Sequence, residues 1–284
     1  MTSSPLSSGI DARTRLFAIV GNPIDHVRAP VVWSALFRKF GINAVFLPAH
    51  VEPGRFDEAI TGLKALKNLD GLMFTMPHKQ AALRHADTVT ERARRVGSLN
   101  LIRPNADGSW TGDNVDGAGF IAGLLADGVR INGIHAYIHG TGGVGQTIAW
   151  ALASEAIVSL ALFDLDVRRA TQLADAIQTE TGVEVRVGTS GLDRFDLLVN
   201  ATPMGLHEGD ALAFSVTGLK PTAVVADVIM EPMHTRLLVE ASRLGLKVHH
   251  GRHMMTHALP LAAQFYGLDP LHGWDGTALQ NADA

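Results

Sequence analysis

The chain has 284 residues, of which 46% are hydrophobic and 18% are charged, so a globular protein of two domains is expected. The formal net charge of −4 argues against a general affinity for nucleic acid or for anionic membranes. Because cysteine is absent, a thiol nucleophile, a cysteine zinc site and disulfide bonds are excluded.

The N-terminal stretch, residues 1–15, is polar and rich in serine and lacks a hydrophobic signal core, so it is predicted to form a loose tail. No later run approaches the ~18 uninterrupted apolar residues of a membrane span. A soluble protein is therefore expected, and the absence of cysteine fits the reducing cytoplasm. The expected partner is a small molecule, and the expected state is a monomer or homodimer.

After the tail, short runs of β-forming residues alternate with helical patterns. Strands are predicted at 16–21, 44–50 and 69–74, and helices at 29–40 and roughly 54–66. A further helix is predicted to begin at Pro77, because proline suits the first helical turn. The two runs on either side of Asn105–Gly108 predict a small hairpin.

The second half of the chain is more regular. Strands are predicted at 134–140, 158–164, 183–187, 196–201, 223–229 and 246–250, with helices after the glycine cluster and over 166–180. Strands that alternate with helices imply right-handed crossovers and a doubly wound parallel sheet that is covered on both faces.

A glycine-rich loop lies between the first strand and the first helix of this second half. Gly140, Gly142 and Gly145 form the pattern G-x-G-x-x-G, and Asp164 ends the next strand about 20 residues further on. In this context the loop predicts a dinucleotide site, with phosphates bound at the helix N-terminus. The loop residues predicted to bind the cofactor are Gly140, Gly142, Gly143, Val144 and Gly145.

The acid after the second strand predicts which dinucleotide is used. Asp164 is expected to bond the adenosine ribose hydroxyls, and its charge, together with that of Asp166, should repel a 2′-phosphate. Arg168 and Arg169 are interpreted as solvated helix residues. NAD is therefore predicted in preference to NADP.

Several separated segments together resemble the shikimate dehydrogenase family, over nearly the whole chain after the tail. They are GNPIDHVRAP (21–30), GLMFTMPHK (71–79), GSLN (97–100), GDNVDG (112–117), NATPMG (200–205) and DVIMEPMHTRLL (227–238). They are similar to the family motifs G-N-P-I-x-H-S-x-S-P, G-x-N-V-T-x-P-x-K, G-A-x-N, G-x-N-T-D-x-x-G, N-A-T-x-x-G and D-x-x-Y-x-P-x-x-T-x-L-L.

The resemblance implies a dehydrogenase of shikimate or quinate metabolism, or of aromatic amino acid biosynthesis, with Lys79 and Asp116 as its catalytic pair and Asn100 beside them. Oxidation of a secondary alcohol needs a base for the hydroxyl proton, and a lysine serves when burial or neighbours bring its pKa toward the working pH. Asp116 could orient the ammonium, and Asn100 could bond a ring hydroxyl. Further cofactor contacts are expected from Asn200, Thr202 and Met204.

The start of the βαβ pattern divides the α/β chain near residue 114, and the resemblance implies the roles of the two domains. Residues 1–114 are expected to form a substrate-binding and catalytic domain, and residues 115–250 a Rossmann-type NAD(P)-binding domain. The helical segment 251–284 is expected to return to the first domain, which would then be discontinuous.

The chain departs from the family pattern where substrate is expected to bind. Val27 and Ala29 replace two serines, Met73 replaces an asparagine, Met230 replaces a tyrosine and Ala258 replaces a glutamine. A site built to hydrogen-bond one group discriminates strongly against altered chemistry, so this loss predicts a less polar pocket.

Three residues are predicted to bind substrate in the altered pocket: Arg28, Thr75 and His257. Arg28 can pair a carboxylate bidentately and so compensate for the missing serines; the alternative is that it faces solvent. Thr75 is kept from the family motif, and His257 is the neighbour of the lost glutamine. His26 is interpreted as structural.

Three functions are considered. The first is NAD-dependent oxidation of a cyclic hydroxy acid of the shikimate or quinate type, and the second is the same chemistry on a less polar substrate. The third is a ligand sensor without catalysis, which the retention of Lys79 and Asp116 disfavours. No metal site is predicted, because His253 and His257 share a helix face without an evident third ligand.

Overall fold

The computed structural model describes residues 9–25, 27–268 and 271, which fall into two compact units. The first unit extends to Val115 and includes the segment that begins at Ala262, whereas the second comprises Asp116–Leu261. The second boundary therefore lies later than the predicted position 251, because most of the last helix packs within the second unit. His26 and the first eight residues of the tail lie outside the described part of the chain.

The first unit contains a mixed six-stranded sheet in the order β2-β1-β3-β5-β6-β4. Its strands are β1 (Arg15–Gly21), β2 (Ala44–His50), β3 (Leu69–Phe74), β4 (Thr88–Val89), β5 (Leu101–Pro104) and β6 (Trp110–Asp113). Its helices are α1 (Ala29–Lys39), α2 (Phe56–Lys64) and α3 (Glu91–Val96). The pairs β1–β2 and β1–β3 are parallel, and β5–β6 is the predicted antiparallel hairpin.

The second unit contains a parallel six-stranded sheet in the order β12-β11-β10-β7-β8-β9. Its strands are β7 (His135–His139), β8 (Ser159–Phe163), β9 (Glu184–Val187), β10 (Leu197–Asn200), β11 (Val224–Asp227) and β12 (Lys247–His249). Its helices are α4 (Asp116–Ala126), α5 (Gly143–Ala153), α6 (Val167–Thr181), α7 (Arg236–Arg243) and most of α8 (Arg252–Phe265). This confirms the predicted Rossmann-type class.

Strand order in the parallel sheet determines where a ligand is expected to bind. The chain runs outward from β7 through β8 to β9, and then returns to place β10 on the other side of β7. Ligands of such sheets bind at the carboxyl ends of the strands, at the point where the order reverses. The carboxyl ends of β7 and β10 therefore mark the expected site.

Aromatic side chains fill the core of the first unit on one side of its sheet. Trp33 of α1 stacks on Phe46 of β2 with ring centroids 5.6 Å apart. Tyr266, which follows α8, meets Phe17 of β1 edge-on at 5.2 Å. The hydroxyl of Tyr266 donates to the carbonyl oxygen of Leu72 in β3 at 3.0 Å, so the end of the described chain is anchored in this core.

The prediction of a helix that begins at Pro77 is wrong, because the segment forms turns and then a short 3-10 helix. The carbonyl oxygen of Lys79 accepts a hydrogen bond at 2.8 Å from the amide of Leu99, which lies in a distant part of the chain. The ring of His78 is buried and stacks on Phe56 at 4.5 Å. These long-range contacts outweigh the local preference of the proline.

The prediction of a loose tail over residues 1–15 is wrong for the residues from Asp11 onward. The hydroxyl of Thr14, a residue that is 3% exposed, hydrogen-bonds to Asn43 Oδ1 at 2.7 Å. The amide of Asn43 donates in turn to Asp11 Oδ1 at 2.9 Å. These bonds fix the chain just before β1.

The sequence analysis did not predict α3, α4 or α7. Two of these helices have local start signals, because Thr90 accepts from the amide of Ala93 and Thr235 accepts from the amide of Leu238, both at 3.4 Å. Gly97 ends α3 with a φ of +65°. Among the described residues, no helix combines the length and the apolarity needed to cross a bilayer.

Candidate functional site

The loop at the carboxyl end of β7 has the shape that its glycines predict. Gly140 has a φ of +100°, which L side chains rarely adopt, and a Cβ on Gly145 would lie 1.9 Å from the carbonyl oxygen of Gly140. Around Gly142, by contrast, no atom of the described chain outside its two neighbouring residues lies within 4 Å of the position of a Cβ. The loop is therefore tightly packed between Gly140 and Gly145 and open at Gly142, as close approach of a pyrophosphate to the backbone requires.

The open side of the loop faces the start of α5. The first hydrogen bond of this helix runs from the amide of Gln146 to the carbonyl oxygen of Gly142 at 2.8 Å. Gly143, Val144 and Gly145 form the first turn, whose amides have no acceptor within the helix. Together with the helix dipole, these N–H groups suit a phosphate, so the residues present fit a dinucleotide.

Asp164, which follows β8, is 7% exposed and holds the loop in place. Its Oδ2 accepts from the amide of Thr141 at 2.7 Å and from the Thr141 hydroxyl at 2.8 Å. Its Oδ1 accepts from the amide of Asp166 at 2.9 Å and from Arg169 at 2.7 Å. Burial raises the pKa of Asp164, but these four hydrogen bonds outweigh it and hold that pKa well below its usual range.

Arg169 is an exposed residue of helix α6, as predicted, but its guanidinium also forms a salt bridge with Asp164, which the sequence analysis did not foresee. A carboxylate offers about four lone-pair positions, and in Asp164 all four are used. A ribose hydroxyl would therefore have to share or replace one of these bonds. Leu165, the next residue, is 93% exposed.

The loop that follows β10 is built around Asn200, which is fully buried. Its Oδ1 accepts from the amide and the hydroxyl of Thr202 at 3.1 and 2.6 Å. Its Nδ2 donates to the carbonyl oxygen of Met204 at 2.9 Å and to Asp227 at 3.1 Å. The side chain of Asn200 therefore fixes the conformation of the loop through hydrogen bonds, whereas Thr202 and Met204 are half-buried residues of the loop itself.

Sequence reasoning missed His139, the residue that precedes the glycine loop. Its ring is buried, lies 4.5 Å from the ring of Phe163, and its Nδ1 hydrogen-bonds the hydroxyl of Tyr137 at 2.8 Å. Burial lowers the pKa of His139, and the charge of Asp164 offsets this only in part. A neutral histidine thus supports the loop, and its place at the end of β7 was the available signal.

In the first unit, the predicted residues Lys79 and Asn100 share one backbone framework. The amide of Leu99 donates to the carbonyl oxygen of Lys79 at 2.8 Å, and the amide of Phe74 donates to the carbonyl oxygen of Asn100 at 2.8 Å. The Oδ1 of Asn100, a residue that is 5% exposed, accepts from the amide of Val115 at 3.1 Å. Lys79 is half-buried.

Asp113, which the sequence analysis did not single out, anchors the same framework. Its carboxylate is buried and accepts from the Arg92 side chain, the Thr90 hydroxyl and the Asn114 amide, the last at 2.7 Å. The side chain of Asn114 donates to the hydroxyl of Ser98 at 3.0 Å. The available signal was the position of Asp113 inside the motif GDNVDG.

The predicted catalytic pair is divided between the two units. Lys79 belongs to the first unit, whereas Asp116 is the first residue of α4 and opens the second. Asp116 is half-buried. Their joint role therefore stays a prediction.

The residues predicted to bind substrate are likewise divided. Arg28 immediately precedes α1, and its carbonyl oxygen accepts from the amide of Val31 at 3.1 Å. Thr75 follows β3 and donates its amide to the carbonyl oxygen of Val20 at 3.0 Å, beside the end of β1. His257 lies in α8 within the second unit and is 7% exposed.

The residues that replace polar family positions are apolar but not deeply buried. Val27, Ala29 and Met73 are half-buried, and Met230 is 37% exposed. Ala258 packs against α4, close to the position that a Cβ on Gly119 would take. In none of these five places can the side chain donate a hydrogen bond to a substrate.

Comparison with known proteins shows the family. Residues 19–102 match the model of the shikimate dehydrogenase substrate binding domain. The shikimate dehydrogenase (NADP(+)) of Rhodospirillum rubrum is 32% identical over 282 residues, which cover 97% of this chain and 96% of that protein.

Solved structures agree with the sequence comparison. Shikimate 5-dehydrogenase from Listeria monocytogenes, in complex with shikimate and NAD, is 26% identical with a TM-score of 0.85 and covers 91% of this chain and 93% of that one. The ligand-free 5-ketofructose reductase of Gluconobacter sp. strain CHM43 is 26% identical with a TM-score of 0.86 and covers 96% and 100%. The chain therefore belongs to the shikimate dehydrogenase family, and it is a shikimate dehydrogenase-like oxidoreductase that binds a nicotinamide cofactor.

Proposed function

We propose that this protein oxidises a secondary alcohol of a cyclic hydroxy acid, of the shikimate or quinate type, with NAD as its cofactor. The observation that carries the proposal is the cofactor loop: a tight turn at Gly140 and Gly145 and open space at Gly142. The first unit would bind substrate and the second unit the cofactor. When bound, NAD supplies the hydride acceptor.

The residues of the chain have separate tasks in this proposal. Lys79 would take the proton of the substrate hydroxyl as the alcohol is oxidised, since a positioned amine is a competent general base. Asp116 would orient that amine, and Asn100, fixed by the amide of Val115, would hold the ring. Asp113 has an indirect, positioning role, because it fixes the backbone from which Asn100 and Asn114 extend.

The charge pattern after β8 supports NAD over NADP. Asp164 and Asp166 place two carboxylates at the turn where an adenosine ribose is expected. The positive charge of Arg169 is already paired with Asp164. A 2′-phosphate would meet repulsion there, whereas a ribose with free hydroxyls would not.

Two substrate chemistries fit the altered pocket, and they differ in one group. If Arg28 pairs a carboxylate, the substrate is a cyclic hydroxy acid. The second candidate is an uncharged hydroxy compound, which is less polar because it has no carboxylate. Val27 and Ala29, which cannot donate hydrogen bonds, favour this second candidate, as does the similarity to 5-ketofructose reductase.

The test is a panel of alcohols with and without a carboxylate, assayed by NADH and NADPH formation. Shikimate and quinate form one arm, and uncharged polyols form the other. The second arm also includes the reduction of 5-ketofructose, which is followed by consumption of NADH or NADPH. A higher kcat/KM with NADP than with NAD would overturn the cofactor proposal. Turnover of no substrate in either arm, with NAD still bound, would favour a ligand sensor.

The role of Lys79 has its own test. Lys79→Ala should abolish turnover while NAD binding, measured by calorimetry, is unchanged. Lys67→Ala, at an exposed lysine in the same unit, is the matched control and should retain wild-type activity. Retained turnover in Lys79→Ala would refute the assignment.

A further inference from the structure

Histidines gather at one edge of the second unit, where β12 ends and α8 begins. The rings of His249 and His253 stack with centroids 4.5 Å apart, and those of His250 and His253 with centroids 4.1 Å apart. His249 is fully buried. Stacked imidazoles at this spacing bring several nitrogen atoms into a small volume.

One carboxylate reaches this group of rings. Asp127, directly after α4, places its Oδ2 at 2.6 Å from His249 Nδ1 and at 3.5 Å from His253 Nε2. One ligand atom from each of the three residues lies within 4.8 Å of the other two. The sequence analysis found no third ligand because Asp127 is remote in sequence from the histidines and reaches them only through the fold.

We propose that Asp127, His249 and His253 bind a divalent transition-metal ion, with Zn²⁺ as the preferred ion. Two imidazoles and one carboxylate are a common ligand set for such ions, and three protein ligands leave a fourth position for water. The ion would connect the end of α4, the end of β12 and the first turn of α8. Its role at this place is to fasten α8 to the sheet.

The distances are close to those that a zinc ion requires. Metal–ligand bonds of about 2.1 Å in a tetrahedral arrangement place the ligand atoms about 3.4 Å apart. The separation of Asp127 and His253 already has this value, and the contact of Asp127 with His249 is a hydrogen bond that an ion would replace. Two adjustments remain: the distance from Asp127 Oδ2 to His249 Nδ1 would open from 2.6 Å by about 0.8 Å, and the side chain of His253, which is 17% exposed, would rotate.

Packing around the histidine group restricts the orientation of the His249 ring. A Cβ on Gly123 of α4 would lie 3.3 Å from His249 Nε2, so this nitrogen faces the helix backbone, and Nδ1 is the nitrogen that can reach an ion. His249 Nε2 has no hydrogen-bond partner among the described residues. The orientation of this ring is therefore held by packing against α4 and by the contact of Nδ1 with Asp127, and not by a hydrogen bond at Nε2.

The test is calorimetric titration of ZnCl2 into the full-length protein, without a histidine tag and after treatment with EDTA. Wild type should bind one zinc ion per chain at a single strong site. His253→Ala should lower that affinity by about 100-fold or more, because loss of even an outer-shell partner costs 10–100-fold. His207→Ala, at an exposed histidine of the same unit, is the matched control and should bind like wild type.

A second measurement reports geometry independently of affinity. Co²⁺ in a tetrahedral site absorbs visible light strongly, so wild type and His207→Ala should show these bands, and His253→Ala and Asp127→Asn should lose them. Should Asp127→Asn fail to fold, His253→Ala decides the test alone. Absence of zinc binding by wild type, or equal binding by His253→Ala and wild type, would overturn the proposal and leave a hydrogen-bonded cluster of histidines.

Discussion

Two alanine substitutions in the glycine loop should affect different properties of the protein. Gly145→Ala should lower the free energy of unfolding, whereas Gly142→Ala should weaken NAD binding. In Gly145→Ala the new Cβ would lie 1.9 Å from the carbonyl oxygen of Gly140, whereas real Cβ contacts essentially never fall below 3.0 Å. The carbonyl must therefore move by about 1 Å, and it is backbone that α5 and β7 hold on both sides. Overpacking of this kind costs about 1–3 kcal/mol, and we expect the upper end.

Gly142→Ala is the matched variant, because outside the two neighbouring residues its Cβ would meet no described atom within 4 Å, and its φ of −65° suits alanine. Its free energy of unfolding should stay within about 1 kcal/mol of wild type, since a gain in backbone rigidity offsets a weaker helix cap. The methyl group would instead occupy the space through which a pyrophosphate approaches the backbone. NAD binding should therefore weaken sharply in a protein that is otherwise stable.

Urea denaturation gives the free energy of unfolding, and calorimetry gives the dissociation constant for NAD. We expect a stability loss in Gly145→Ala and a binding loss without a stability loss in Gly142→Ala. If Gly142→Ala bound NAD as tightly as wild type, the open side of the loop would not be the cofactor site. If Gly145→Ala were as stable as wild type, the close approach to Gly140 would be relieved by a movement that the structure does not suggest.

Three further changes test single contacts. Asp164→Asn should destabilise the protein by about 2 kcal/mol at neutral pH, because charged hydrogen bonds each contribute about 1.5–3 kcal/mol and the amide keeps part of the set. Since folding lowers the pKa of Asp164, its contribution is present above the unfolded pKa of about 4 and is lost as pH falls, so the difference between variant and wild type in urea unfolding should shrink below that pH. Tyr266→Phe should cost about 1 kcal/mol, because the hydroxyl bonded to the carbonyl of Leu72 is buried; an unchanged midpoint of urea unfolding would contradict this. Arg169→Ala should raise the activity with NAD relative to NADP, and an unchanged ratio would show that this guanidinium does not influence the choice.

The cofactor half of the site could be predicted from sequence because its signals are local. A glycine pattern between a strand and a helix, with an acid after the next strand, specifies a backbone conformation. That conformation depends little on the side chains of the other loop residues. The structure reproduces that shape at Gly140 and Gly145. The partners of Asp164, however, were not predicted: two of its hydrogen bonds come from Thr141 of the glycine loop, and its salt bridge comes from Arg169 in the first turn of α6.

The other wrong predictions concern residues whose partners are distant in sequence. A helix after Pro77 satisfies local preferences, yet the backbone of Lys79 is bound by Leu99 and the ring of His78 is buried on Phe56. The tail before β1 is fixed in the same way by bonds to Asn43, which no local pattern indicates. Such contacts become visible only when the strands have been paired.

The proposed metal site and the cofactor loop lie in one unit but can be tested separately. The loop follows β7, whereas His249 ends β12, which is the third strand along from β7 in the sheet order. At about 4.8 Å per strand, the ends of these two strands are about 14 Å apart. No ligand of the ion then also contacts the phosphates, and residues 141–145 contribute nothing to the histidine group. Loss of zinc binding in His253→Ala with retained NAD binding is therefore the expected combination, and it separates a failure of the metal site from a failure of the dehydrogenase assignment.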